Sequence, residues 1–109
     1  MKILVVDDER AIRNSLKEIL GDEGYEVDTA EDGTIAEQMI DKEHYDVVFC
    51  DIKMPGKDGE EVLDYVVTQG IDTAMVMISG HGDIDTAVEC IKKGAFDFIQ
   101  KPLDLNRLL

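Results

Sequence analysis

The sequence predicts a doubly wound α/β domain, with five parallel strands in one sheet and helices packed on both faces. Short apolar runs of strand length recur along the chain, and segments with helical apolar spacing separate them. That alternation is the mark of repeated βαβ units. Turn and capping residues fall between the two kinds of segment.

The first run, residues 3–6, is continuously apolar, as expected of a strand buried on both faces. Ile12, Leu16, Ile19 and Leu20 then repeat at helical spacing. Glu26, Val27, Asp28 and Thr29 alternate in polarity, which places that strand at a sheet edge. Ile35, Ala36, Met39 and Ile40 make the next helical face, and residues 47–50 a second central strand. Asp58 with Glu61 three positions on has the form of a capping box ahead of Val62, Leu63, Val66 and Val67. Residues 74–78 form the third central strand, and Ile84, Ala87, Val88 and Ile91 the fourth helical face. Asp97 interrupts the last run, 96–99, and sends it to the other edge. Gly21, Gly24, Gly70 and Gly94 stand where helix C-caps fall. Asp104 has the place of an N-cap, and Leu105, Leu108 and Leu109 begin a last amphipathic helix that is truncated at Leu109.

At 109 residues, 44% of them hydrophobic, the chain has the length of one domain spanning residues 1–109 and can bury a single core without a staple. Cys50 and Cys90 have no metal-ligand spacing and lie in apolar stretches, so they read as reduced core residues. No apolar run approaches the roughly 20 residues of a membrane helix, and Met1 leads straight into a strand with no signal peptide. A cytoplasmic location is the expectation. The net charge of −14 argues against direct nucleic-acid binding, because a phosphate backbone is repelled by the average surface field.

Ligands of an open parallel sheet sit beyond the carboxyl ends of its strands. The polar residues that end successive strands here are Asp7 and Asp8, Asp51, Ser79 and Lys101. Each carboxylate pair in such a cluster repels by about 3 kcal/mol at ~5 Å and an effective dielectric of ~20. An all-oxygen set of this kind suits Mg²⁺ better than zinc. With a divalent ion and Lys101 offsetting its charge, Asp51, alone at a central strand end, is the candidate nucleophile towards phosphorus. Ser79 supplies a hydroxyl. Taken singly these residues also fit ordinary roles: a helix N-terminal acid pair, a turn serine, a surface lysine. His81, His44 and the methionines carry no clear chemistry of their own.

Together the motifs resemble the receiver domains of bacterial two-component response regulators. The pair Asp7-Asp8, Asp51 followed by Ile52-Lys53-Met54-Pro55-Gly56-Lys57-Asp58-Gly59, then Ser79-Gly80 and Lys101-Pro102 fall in that family's order along the whole chain. The resemblance implies a flavodoxin-like strand order 2-1-3-4-5. It implies that Asp51 is the phosphoacceptor, and that Asp8, Asp51 and the Lys53 backbone carbonyl bind Mg²⁺ directly, with Asp7 acting largely through water. Ser79 and Lys101 then contact the phosphoryl oxygens, Phe98 is the switch aromatic, and the Lys101-Pro102 peptide is cis. The implied donor is a sensor histidine kinase, and an output domain, normally in the same chain, controls transcription. Such a domain is a signalling phosphoacceptor that catalyses its own phosphorylation and dephosphorylation.

The stretch from Gly80-His81-Gly82-Asp83-Ile84 to Gly94-Ala95-Phe96-Asp97-Phe98 further resembles receivers of the NtrC class of transcriptional activators. Phenylalanine at 98 replaces the tyrosine of some members, so a hydroxyl-mediated switching step is unavailable. A homodimer is a further expectation, because the truncated last helix leaves a sheet face incompletely covered. The alternative function is a small Mg²⁺-dependent phosphohydrolase of the haloacid-dehalogenase type, but that family wants a second acid two residues after the nucleophile, where Lys53 stands. A flavin binder fits less well still, because Asp-Asp-Glu-Arg after the first strand repels a cofactor phosphate.

Overall fold

The computed structural model describes residues 1–80 and 82–102. The expected helix after Asp104, and His81, lie outside the described residues. The elements follow in the order β1 (Lys2–Val6), α1 (Arg10–Asp22), β2 (Glu26–Ala30), α2 (Gly33–Lys42), β3 (Val47–Asp51), α3 (Gly59–Thr68), β4 (Ala74–Ser79), α4 (Ile84–Lys93) and β5 (Asp97–Gln100). The strands form one sheet in the order β2-β1-β3-β4-β5, and every neighbouring pair is parallel. This is the doubly wound fold that the alternation of elements predicts, with the two mixed-polarity strands at the edges.

Strand periodicity divides the core into two layers. Leu4 and Val6 of β1 face one side, with Val48, Cys50, Met75 and Met77, and meet Ala36, Ile40, Val62, Leu63, Val66, Ala87 and Cys90 from α2, α3 and α4. Ile3 and Val5 face the other side, with Phe49, Val76 and Ile78, and meet Leu16 and Leu20 of α1. Each fully buried leucine contributes roughly 1.5–3 kcal/mol of transfer free energy. Both cysteines are free and buried.

Helix punctuation agrees with the sequence at most positions. Asp58 and Glu61 form the complete capping box of α3. Gly24, Gly70 and Gly94 take positive φ just past or at the ends of their helices. Gly21 is the exception: α1 runs through it to Asp22 and is capped at Glu23, since one glycine in a last turn does not stop a helix held by buried Leu16 and Leu20. The last strand starts one residue later than its apolar run, at Asp97. Phe96 instead donates its N–H to the Met75 carbonyl, and the residue is 75% exposed.

Gly59 sets how closely α3 approaches the strand ends. A Cβ there would lie 2.2 Å from the Asp51 carbonyl oxygen and 2.8 Å from the Ile52 Cα. Only a glycine allows this contact, and it brings the start of α3 against the end of β3.

Candidate functional site

The three central strands end side by side, and each delivers a polar residue to the same place. Asp7 follows β1, Asp51 closes β3 and Ser79 closes β4. All three are buried, with Asp7 and Ser79 at 0% and Asp51 at 4% exposure. Asp8, next along the chain, is exposed. Lys101 follows β5, and its N–H donates to the Ser79 carbonyl at 2.9 Å, which fixes the lysine beside β4. The Lys101–Pro102 peptide bond is cis.

One carboxylate oxygen from each of Asp7, Asp8 and Asp51 falls within 4.8 Å of the others. Lys101 Nζ lies 3.4 Å from Asp51 Oδ2 and 3.5 Å from Asp7 Oδ2. It donates a 2.8 Å hydrogen bond to Glu9 Oε1. Asp7 Oδ1 accepts from the Glu9 N–H at 2.8 Å, and the Asp7 carbonyl accepts from the Arg13 guanidinium at 2.8 Å. Asp7 Oδ2, by contrast, is buried and accepts no hydrogen bond among the described residues. The cleft above these groups has a volume of about 610 Å³ and is lined by Asp8, Asp51, Lys53, Asp83, Lys101 and Pro102, among others.

The electrostatics follow from this crowding. Burial, then the charge of Asp7, pushes the Asp51 carboxyl up to about 7, against a partial offset from Lys101. Burial likewise raises Asp7, opposed by the Glu9 N–H and Lys101. Burial works to lower the Lys101 ammonium, but the Glu9 hydrogen bond and the charges of Asp51 and Asp7 outweigh it and raise the group overall. One lysine therefore does not neutralise the cluster. A buried, unsatisfied carboxylate oxygen among oxygen-only donors, with an exposed acid beside it, fits a hard divalent cation that keeps some of its water. The same cation would hold Asp51 deprotonated at neutral pH.

The structure brings Asp7, Asp8, Asp51 and Lys101 together, with Ser79 beside them, its hydroxyl donating weakly to the Gly80 carbonyl at 3.4 Å. Lys53 is at the cleft wall. Phe98 is half-buried against the α2–α4 layer of the core and lies outside the residues that line the cleft. Sequence reasoning missed Glu9 and Arg13, which brace Lys101 and Asp7, although Glu9 directly follows the acid pair. It also missed the ion pair between Lys53 Nζ and Asp83 Oδ1, 2.9 Å apart. Nothing in the sequence joins residues 30 positions apart on separate loops.

A parallel sheet with an acidic, lysine-braced cleft at the ends of its central strands defines a specific class of α/β domain. The chain belongs to the response regulator receiver domain family, whose description matches residues 3–109. It is 45% identical over 109 residues to the nitrogen assimilation regulatory protein NtrX of Azorhizobium caulinodans, covering 98% of this chain and 24% of that protein. It is 36% identical over 107 residues to the regulatory protein AtoC of Escherichia coli, covering 98% of this chain and 23% of that one. Among solved structures, the receiver domain of NtrX from Brucella abortus superposes with a TM-score of 0.91 at 47% identity, covering 97% of this chain and 90% of that one. The chain spans about a quarter of the length of those two curated relatives. It is thus a signalling domain of the two-component type, similar to receivers of NtrC-class regulators. No helix among the described residues is long and apolar enough to cross a membrane.

Proposed function

We propose that Asp51 accepts a phosphoryl group from the phosphohistidine of a sensor histidine kinase. The observation that carries this reading is the convergence of Asp7, Asp8 and Asp51 within 4.8 Å, with the two buried acids, Asp7 and Asp51, both paired with Lys101. Asp8, Asp51 and the Lys53 backbone carbonyl would hold Mg²⁺, with Asp7 acting largely through water. Bound there, Mg²⁺ supplies charge neutralisation for the phosphoryl oxygens.

The chain's own residues do the rest. An Asp51 carboxylate oxygen forms the new bond to phosphorus in line as the bond to the donor imidazole nitrogen breaks, and the imidazole keeps that electron pair. Lys101 Nζ, already 3.4 Å from Asp51 Oδ2, takes up an incoming phosphoryl oxygen. Water later cleaves the acyl phosphate, releasing inorganic phosphate and restoring the carboxylate. The Ser79 hydroxyl turns from Gly80 to the phosphoryl group, the connection after β4 follows, and Phe98 enters the space released. Two packings then exchange populations. A swing from 1:99 to 99:1 takes about 5.5 kcal/mol, within reach of several charge-assisted hydrogen bonds at ~1.5–3 kcal/mol each. Ile84, Val88 and Ile91 form an exposed apolar stripe on α4, which supports α4 and β5 as the output surface. The full-length protein then joins this cytoplasmic domain to an output domain that regulates transcription.

The test is labelling by acetyl phosphate, or uptake of beryllofluoride with Mg²⁺. Asp51→Asn abolishes both and keeps the fold. Phosphate retained in that variant would place the acceptor elsewhere, and catalytic turnover of a chromogenic phosphate ester would favour the phosphohydrolase.

A further inference from the structure

Three helices begin with an aspartate, and one of the three is diverted from its helix. Asp32 accepts from the Ile35 N–H at the start of α2, and Asp58 from the Glu61 N–H at the start of α3. Asp83 holds the same place before α4, yet its side chain makes no capping hydrogen bond among the described residues, and its backbone sits at φ −103°, ψ 12° instead of extended. Its carboxylate turns back over the loop. Oδ2 lies where a Cβ on Gly80 would be 3.1 Å away, and Oδ1 is 2.9 Å from Lys53 Nζ.

The pair is unequal. The Asp83 side chain is 6% exposed and that of Lys53 is 77% exposed. A nearly buried carboxylate is held by a lysine that is itself mostly in water, and Lys53 is the one basic side chain paired with it among the described residues. If the lysine leaves, the carboxylate needs another partner, because an unpaired buried charge is costly. The N–H groups of Asp85 and Thr86, the second and third residues of α4, stand where an N-cap aspartate accepts, and the helix dipole favours the negative charge. Lys53 in turn lines the same cleft as Asp51, Asp8 and Lys101. Its ammonium therefore has a second place to go whenever negative charge builds up there.

We propose that the Lys53–Asp83 ion pair is a charge-released latch: a phosphoryl group on Asp51 draws the Lys53 ammonium across the cleft, and Asp83 turns to cap α4. The latch rests on the reading of Asp51 as phosphoacceptor. It gives the cleft a route to α4 through side-chain charge, separate from Ser79 and Phe98. The helix it reaches carries the exposed stripe of Ile84, Val88 and Ile91.

Amide ¹H–¹⁵N spectra of the full chain, with and without beryllofluoride and Mg²⁺, test the latch at Asp85 and Thr86. Asp83→Asn cannot pair with Lys53 but can still cap, and Lys53→Gln frees Asp83 to cap. Both variants, unloaded, are expected to shift these two amides to the positions of the loaded wild type. Lys53→Arg keeps the unloaded wild-type positions. Asp83→Ala, which can neither pair nor cap, leaves the loaded positions unreached even with beryllofluoride. Asp85 and Thr86 amides that stay at unloaded wild-type positions in both Asp83→Asn and Lys53→Gln overturn the latch. A wild type that takes up no beryllofluoride overturns the reading of Asp51 instead, while the unloaded variants still report on the ion pair.

Discussion

Two lysines sit at opposite ends of the sheet, each among three acids, and they behave differently. Lys2, at the start of β1, is paired with Glu26, Asp28 and Glu43, whose side chains are 71%, 36% and 49% exposed. Lys101, after β5, is paired with Glu9, Asp7 and Asp51, and here two of the acids are 0% and 5% exposed. The charge ratio is the same and the solvent is not. Water screens the first cluster, and the Tyr45 hydroxyl donates to Asp28, so it is a self-sufficient surface network of small energetic weight. In the second, Asp7 and Asp51 are cut off from water, and Asp7 Oδ2 accepts no hydrogen bond among the described residues. Burial turns an ordinary group of acids into a cluster that a divalent cation fits.

Substitutions that relieve the buried crowding should therefore stabilise the metal-free protein, and matching changes at the other end should not. The largest effect is expected for Asp51→Asn, which removes the charge facing Asp7 and should raise metal-free stability by about 1–2 kcal/mol in denaturant unfolding. Lys101→Ala should act in the opposite direction, lowering metal-free stability and leaving labelling possible but uncoupled from the movement of α4. Normal switching in that variant would remove Lys101 from the coupling route.

A smaller, graded effect is expected with pH. Asp51 in the folded chain sits at about 7, above its ordinary value of 3.8, so between those values the folded state binds a proton that the unfolded state has released. The Asp51 contribution to metal-free stability is then fully present below about pH 4 and is lost as pH rises through 7, with the raised Asp7 acting in the same sense. Saturating Mg²⁺ should flatten this dependence in a melting series. The smallest effect belongs to Glu26→Gln beside Lys2, which should leave the metal-free melting curve in place. A large change there would mean that exposure does not separate the two clusters.

The fold was largely legible because its signals are local. Continuous apolar runs marked β1, β3 and β4 as central, and the polar residues of Glu26–Ala30 and Asp97 marked the edges. Gly21 misled because a glycine signals a helix end only when the packing beyond it stops, and α1 continues for one more residue. The convergence of Asp7, Asp8, Asp51, Ser79 and Lys101 was legible because parallel topology forces strand ends together whatever their separation in sequence. What the sequence could not supply was depth. Asp7 and Asp8 are identical neighbours, yet one is sealed in and the other is open to solvent. The diversion of Asp83 was equally hidden: Asp83 lacks the glutamate that completes the Asp58 capping box, but nothing local announces the lysine that reaches it through space.

A Mg²⁺ titration followed by calorimetry, on the wild type and on Asp51→Asn, addresses the cation requirement most directly. Saturable binding of one ion at millimolar concentration, accompanied by release of protons at pH 7 and weakened in Asp51→Asn, is the expected result. Heat no greater than dilution up to tens of millimolar, or equal binding by the two proteins, would contradict it.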